Sequence, residues 1–558
     1  MVNRVLNLFY REIKGLHQAA YVLALFALAS QILAIVRDRL LANQFGAGSE
    51  LDVYYAAFRI PDLLFVLFAS VLSVYVLLPF VTKAKTESNE AAQAVLSQMF
   101  SLFLVVYTIT AAGAFVASPW LSGYLFPGFS VSAQTEAVML LRILLLQPLL
   151  LGISSLLSVV TQMGHRFVIY ALSPLLYNIG IITGAAVLYP LFGIVGLAYG
   201  VVLGALLHCL IQLPLVYTSD LRFGVTFKID TKMMRAIAQV AIPRAVTLSL
   251  SQVMFLGLVM MATTMSVGSV AVLQFAYNLQ SVPLAIIGMS YSVAAFPTLA
   301  SLLADKKQTE FNTYVLTALR HVIFWSTPVV VLVIVLRAQL VRVLLGSGSF
   351  DWADTRLTAA ALAIFVVSLL AQSILLLVVR AFYAGGYTRL PLLVTLVGTL
   401  FSAAAAGILY QWFIQSASAQ AFFTALFRLE NVVGSEVLML PLGYAIGVII
   451  EVGLLLYFAG RTFGMSLKSL ARPFTVATVA SFTGGLCAYA SLLFLVEGVN
   501  QNTFVGILIQ GLVSGIVGLL GVIVAYRLLR SPEMHEIYLA LKGRLRKREI
   551  IPPQPDLL

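Results

Sequence analysis

Apolar residues run in long unbroken blocks from one end of the chain to the other, at 19–41, 52–81, 96–118, 135–162, 167–189, 193–217, 236–265, 269–302, 313–336, 356–383, 388–413, 437–459, 472–495 and 503–528. These blocks are numbered spans 1 to 14. Each is long enough for a helix to cross the roughly 30 Å hydrocarbon core of a bilayer, which takes about 20 apolar residues. Several exceed that length, which predicts tilted or bent helices. Pro61, Pro148, Pro174, Pro243 and Pro283 within the blocks supply local reasons for bending. The pattern predicts an all-α integral membrane protein of about fourteen transmembrane helices.

Composition agrees with the pattern. Of 558 residues, 61% are apolar and 10% charged, against about a quarter charged in a soluble domain. The net charge of +12 does not point to nucleic acid, because of where the basic residues sit. With a cytoplasmic N-terminus, about 25 Lys and Arg fall in inside segments, while Arg337, Arg342, Arg356 and Arg428 fall outside. An error of one span anywhere would invert every later loop. Both termini are therefore expected on the cytoplasmic side of a bacterial inner membrane, with an even number of spans. Arg4 and Lys14 before an apolar stretch ending in Ala27, Leu28 and Ala29 resemble a signal peptide. An uncleaved first span is expected instead. The tail LKGRLRKREI reads as positive-inside anchoring or as contact with anionic lipid headgroups. AFFTALF, within a linker near 415–436, reads as an interfacial helix. Cys209 and Cys487 lie inside apolar blocks and read as small core residues, and the five histidines show no metal spacing.

Span 2 and span 8 echo one another. Registering Pro79 on Pro297 brings Ala57 and Phe58 beside Phe275 and Ala276, and TQMGHRFVIYALSP after span 4 echoes RAFYAGGYTRLP after span 10. Both offsets are close to 220 residues, or six spans, which suggests two related halves. The expected organisation is an amphipathic cytoplasmic N-terminus (1–18), an N-lobe of six helices (19–217) and a cytoplasmic linker (218–235). A C-lobe of six helices (236–459), two further C-terminal helices (460–529) and a basic tail (530–558) follow. The two lobes form a pseudo-repeat around a central cavity.

Charges inside or bordering the spans carry the chemistry: Arg37, Asp38, Arg39, Asp52, Arg59, Asp62, Glu136, Arg142, Arg244 and Glu451. Such residues are costly in hydrocarbon and face cavities or partners. Arg37, Arg59 and Arg244 come from spans 1, 2 and 7, and in a two-lobe bundle these spans line a common cavity. Guanidinium forks suit an anionic substrate, since they bind phosphate oxygens bidentately and stay charged. The alternative is structural pairing of Arg37 with Asp52 and of Arg59 with Asp62. Arg142 and Glu136 near a span end read as snorkelling side chains. Glu451 reads either as a proton or cation coupling site or as a lumen-facing carboxylate. No nucleotide-binding glycine loop is present, and neither cofactor nor metal is expected.

The stretch SQILAIVRDRLLANQFGAGSELDVYYAAFRIPDLL, from Ser30 to Leu64, resembles the first two helices of the MurJ (MviN) family. These are the lipid II flippases of the multidrug/oligosaccharidyl-lipid/polysaccharide exporter superfamily. The elements that carry the likeness are VRD, FGAG with an Asp four residues on, and AFRIP followed by LL. FPGF at 126–129 and LSPLLYN at 172–178 add to it. The resemblance implies a transporter, not an enzyme, that moves an undecaprenyl-pyrophosphate-linked peptidoglycan precursor by alternating access, using cavity arginines. It assigns substrate contact to Arg37, Asp52 and Ser30, with Arg59 and Arg244 as further candidates and Asn278 at a cavity position. This sequence departs from the pattern at Gln31, Phe65 and Asn278, where the family carries arginine, and at Ser70 and Ser281, where it carries glutamate. Arg39, Arg59 and Arg244 are candidates to replace the lost charge.

The leading expectation is a flippase for lipid II, with anionic membrane lipids and other cell-wall synthesis proteins as further partners. The alternatives are a flippase for another lipid-linked oligosaccharide, such as an O-antigen or capsule unit, or a transport-dead envelope scaffold. A cation-coupled drug exporter is disfavoured, because cationic drugs call for acidic cavities.

Overall fold

The computed structural model describes residues 16–495, 500 and 503–546. The N-terminal segment with Arg4, Arg11 and Lys14, and the end of the tail with Lys547 and Arg548, lie outside the described residues. Regular structure among the described residues is helical, with no strand. Among the described residues, twelve helices are long and apolar enough to cross a bilayer, and Trp352–Val367 with Leu369–Ala384, bent by 41°, makes a thirteenth. Leu16–Phe45, a helix of 30 residues, covers span 1. With it, each of the fourteen spans falls on a helix.

Two breaks follow directly from proline chemistry. A proline ring clashes with the carbonyl four residues earlier, but is tolerated in the first turn of a helix. Span 2 breaks after Ser49–Ala57 and resumes as Arg59–Val71, so the carbonyl that Pro61 would disturb belongs to the last residue of the preceding helix. Span 4 repeats the device: Val131–Leu144 ends at the residue four before Pro148, and Leu146–Met163 begins anew. Pro283 is followed by a π turn, Ala285–Met289. Pro174 and Pro243 lie within helices that continue through them.

The described residues fall into two compact units. The first comprises the chain up to Leu279 with Leu344–Phe365 and Tyr387–Glu451; the second comprises Gln280–Val343, Val366–Gly386 and the chain from Val452 onward. In the first unit, Leu72, Leu77, Leu96, Phe103, Tyr107 and Leu156 form a buried core, and the Tyr107 hydroxyl donates to the Leu145 carbonyl. In the second, Phe324 stacks on Tyr526 at 4.2 Å between ring centroids, with Ala477, Ala480 and Val522 around them. Cys209 and Cys487 are free thiols; Cys209 is a buried core residue, whereas Cys487 is half-buried.

Spans 5 and 6 approach closely because small residues face each other, a common solution where helices pack without a hydrophobic drive. A Cβ on Gly184 would lie 2.7 Å from the Gly200 Cα, and Gly180 meets Gly204 in the same way. Gly200→Leu is therefore expected to force the two helices apart. Overpacking of this kind costs about 1–3 kcal/mol, read as a lowered Tm of the purified protein in detergent. An unchanged Tm would mean that the contact yields freely.

Between spans 11 and 12, Ala417–Phe427 is helical, as AFFTALF suggested. Ser416 caps it by accepting from the Ala419 N–H at 3.2 Å, and Arg428 ends it in the left-handed region. Phe422 and Leu426 are exposed while Ala419 and Phe423 are buried, the division that an interfacial helix requires.

Candidate functional site

Within the first unit, a cavity of about 190 Å³ is lined by Arg37 and Leu41 from span 1, by Tyr54, Tyr55, Phe58, Arg59 and Asp62 from span 2, by Tyr177 and Ile181 from span 5, and by Gln274 and Asn278 from span 8. Helical spacing explains the set. Tyr55, Arg59 and Asp62 follow one another at intervals of four and three, so they share a face, as do Tyr177 and Ile181, and Gln274 and Asn278.

A continuous polar network runs behind the cavity wall. Asn178 donates to the Ser30 hydroxyl at 3.3 Å and accepts from Arg37 Nη1 at 3.2 Å. Arg37 Nε and Nη2 meet Asp38 Oδ1 at 2.9 and 2.8 Å. Asp38 Oδ2 accepts from Asn278 at 2.9 Å, and Asn278 Oδ1 accepts from Gln274 at 2.7 Å. Gln274 Oε1 takes Arg59 Nη2 at 3.1 Å, and Arg59 Nε also donates to the Tyr55 carbonyl at 2.9 Å. Arg59 lies over the Phe255 ring at 5.1 Å and reaches Asp62 only at 3.9 Å. A guanidinium carries five N–H donors, so both arginines keep donors beyond those given to the network.

The two arginines and two aspartates sum to zero charge. The cavity is thus not the simple cationic hole that three arginines would make. An anion entering it competes with Asp38 for Arg37, a contest that favours a strong, multiply charged oxyanion over a weak one. The Tyr55 hydroxyl, buried and without a hydrogen-bond partner among the described residues, adds a donor in the wall. Ligand pockets for drug-sized molecules span about 300–1,000 Å³. At about 190 Å³ this cavity is sized for a compact anionic group.

Of the seven residues assigned in the sequence to the substrate, coupling or the cavity, the structure brings together four: Arg37, Arg59 and Asn278 in the cavity wall, and Ser30 through Asn178. It does not bring in the other three. Asp52 is buried, and its two oxygens accept from the backbone N–H groups of Gly268 at 2.6 Å and Ala271 at 2.8 Å, so it starts a helix instead of pairing with Arg37. Arg244 is half-buried on Thr231–Thr263 and is not among the cavity's lining side chains. Glu451 is buried elsewhere, accepting from the Thr395 hydroxyl at 2.6 Å and packed against Gly398. Arg39 also lies off the cavity wall. Arg142 bonds the Ser118 hydroxyl at 2.9 Å and covers the Phe115 ring, a more specific anchoring than snorkelling. Asp38 was among the intramembrane charges but had no assigned role, and Asn178, Gln274 and Tyr55 were not singled out, although YYAAF and LSPLLYN contained two of them.

Comparisons with known proteins agree with this reading of the fold. The family model for the lipid II flippase MurJ matches residues 41–514. A probable lipid II flippase MurJ of Buchnera aphidicola subsp. Acyrthosiphon pisum is 28% identical over 389 residues, covering 68% of this chain and 75% of that protein. One from Thermotoga maritima is 27% identical over 372 residues, covering 66% and 74%. Among solved structures, a lipid II flippase MurJ in an inward closed conformation superposes with a TM-score of 0.72 at 21% identity, over 91% of this chain and 99% of that one. An inward-facing multidrug resistance transporter of the MATE family, in the MOP superfamily, gives 0.65 at 17% identity, over 79% and 96%. Structural likeness at such identities speaks for the shared fold, whereas the family model covers most of the chain. This protein belongs to the lipid II flippase MurJ family.

Proposed function

We propose that this protein translocates a polyprenyl-diphosphate-linked peptidoglycan precursor, lipid II, across the inner membrane by alternating access. The observation that carries the reading is the meeting of Arg37 and Arg59 on one cavity lined by residues of membrane-spanning helices. A diphosphate is a compact, multiply charged oxyanion, the ligand class best able to draw Arg37 from Asp38. Arg37 and Arg59 are assigned to the diphosphate, with Tyr55 as an added donor. Asp38, Asn178, Gln274 and Asn278 act as positioning residues, and Ser30 supports Asn178. Glu451, held by Thr395 away from the cavity wall, is assigned to ion coupling. Both termini are placed in the cytoplasm, in accord with the bias of basic loops.

The test is exposure of lipid II on the outer face of the membrane in a host depleted of its own flippase, with expression of this protein verified. Restored exposure is the expected result. No exposure from a well-inserted protein would overturn the assignment. It would direct attention to another lipid-linked glycan, a choice that the neutral sum of the cavity charges and Asn278 in an arginine position make specific to this chain.

A further inference from the structure

A second cavity lies in the other unit, where the last span ends. Its volume is about 570 Å³, and it is lined by Arg527 and Arg530, by His535 and Tyr538, and by apolar surface from Pro532 and Met534. We propose that it binds the headgroup of an anionic glycerophospholipid of the surrounding membrane, with the phosphate diester held by Arg527 and Arg530.

The local fold builds this place. The span Phe504–Leu528 stops with two backbone bonds, Ser531 N–H to the Tyr526 carbonyl at 3.0 Å and Arg530 N–H to the Arg527 carbonyl at 3.1 Å. That pair is the Schellman arrangement, whose turning residue is usually glycine. Here Arg530 occupies it with φ of 51°. A long cationic side chain thus stands at the corner where glycine would serve the turn better, and it lines the cavity. The chain then doubles back as Pro532–Arg546. Met534 and Ile537 pack that helix onto the second unit's core, and Glu536 reaches His321 Nε2 at 3.0 Å.

Charge and polarity select the ligand. Among the described residues, neither Arg527 nor Arg530 has a carboxylate partner. Of the nearby acids, Glu536 is engaged by His321 and Glu533 accepts from Ser531 at 2.8 Å; neither lines the cavity. Two guanidinium groups beside one opening are suited to a phosphate. Leu528 is 78% exposed at the edge of the same turn, at the end of a helix that crosses the bilayer. A molecule seated here therefore has a phosphate-binding head position and an apolar continuation, which fits a lipid and not a soluble phosphate. The volume suits a glycerophosphate headgroup, within the usual range of ligand sites.

Native mass spectrometry of the full chain titrated with phosphatidylglycerol, phosphatidylcholine or soluble glycerol phosphate tests the proposal. The expected result is retained phosphatidylglycerol, with apparent affinity about tenfold or more weaker in R527A/R530A, as befits lost charge-assisted bonds. The control R461A/K468A, with the same change in net charge, should match wild type. Arg37→Ala should also keep the lipid, which separates this site from the transport cavity. Undiminished phosphatidylglycerol retention in R527A/R530A would overturn the proposal, as would equal retention of phosphatidylcholine. Glycerol phosphate binding as tightly as the lipid would also overturn it, since the ligand would then be a small anion. If the double variant melts early, R530A alone, at an exposed position, is read by the same outcomes.

Discussion

Arg37→Ala is expected to abolish transport in a protein that still inserts in the membrane, because Arg37 is the residue on which the cavity and its supporting network meet. Its guanidinium faces the cavity on one side and holds Asn178 and Asp38 on the other. Hydrogen bonds to charged groups contribute about 1.5–3 kcal/mol each, so losing one contact to the transported anion lowers its binding by about tenfold to more than a hundredfold. Removal also strands Asp38, which among the described residues keeps the Asn278 amide, and an uncompensated buried acid costs about 3–5 kcal/mol when its partner is lost. Asp38 is only 6% exposed, so water offers little relief. Arg37→Lys keeps the charge but not the fork, and it should recover stability better than transport. The measurement is lipid exposure at the outer face, normalised to folded protein in the membrane. Full exposure from well-folded Arg37→Ala would remove Arg37 from the substrate's path. A double variant, Arg37→Ala with Asp38→Ala, separates the two effects: stability should return while transport stays absent.

The helices were legible because the signal that makes them is one-dimensional. A span needs an apolar run, and fourteen runs coincide with fourteen helical stretches. The proline breaks at Pro61 and Pro148 follow from a carbonyl four residues away, again a local rule. The cavity was half legible. Arg37 and Arg59 declare themselves by interrupting hydrocarbon-facing sequence, whereas Asn178, Gln274 and Asn278 do not, since an amide barely disturbs an apolar run. Their roles depend on contacts across 141, 215 and 240 residues of chain. Arg244 shows the opposite failure. It interrupts its run as Arg59 does, yet span 7 meets Arg59 through Phe255, three helical turns further along, and leaves Arg244 off the cavity wall. Spacing alone could not say which of the two would be turned inward. Asp38 sat beside an arginine in plain view, but no local rule tells a charge-balancing neighbour from a surface one.

Asp52 carries the second large effect, and its test separates holding the fold from holding the substrate. Its two carboxylate oxygens tie the first turn of Ser49–Ala57 to the start of span 8, through Gly268 and Ala271. The same corner is close-packed: Gly268 has φ of 92° and its position leaves no room for a Cβ against the Ala47 carbonyl. Asp354 accepts from the Ala47 N–H at 3.0 Å, and Ser349 N–H donates to the Asn43 carbonyl at 2.9 Å. Asp52→Ala leaves two buried N–H groups without acceptors at about 1–3 kcal/mol each, and it removes a negative charge from a helix N-terminus, worth about 0.3–1 kcal/mol. A marked fall in Tm in detergent is therefore expected, larger than for Gly200→Leu. Asp52→Asn, which keeps one acceptor oxygen, should fall between that variant and wild type. The protein that does fold should bind the lipid-linked diphosphate normally, because Asp52 is not in the cavity wall. Unchanged stability with lost binding would reverse this assignment and return Asp52 to the substrate, as its place in the FGAG-containing motif first suggested.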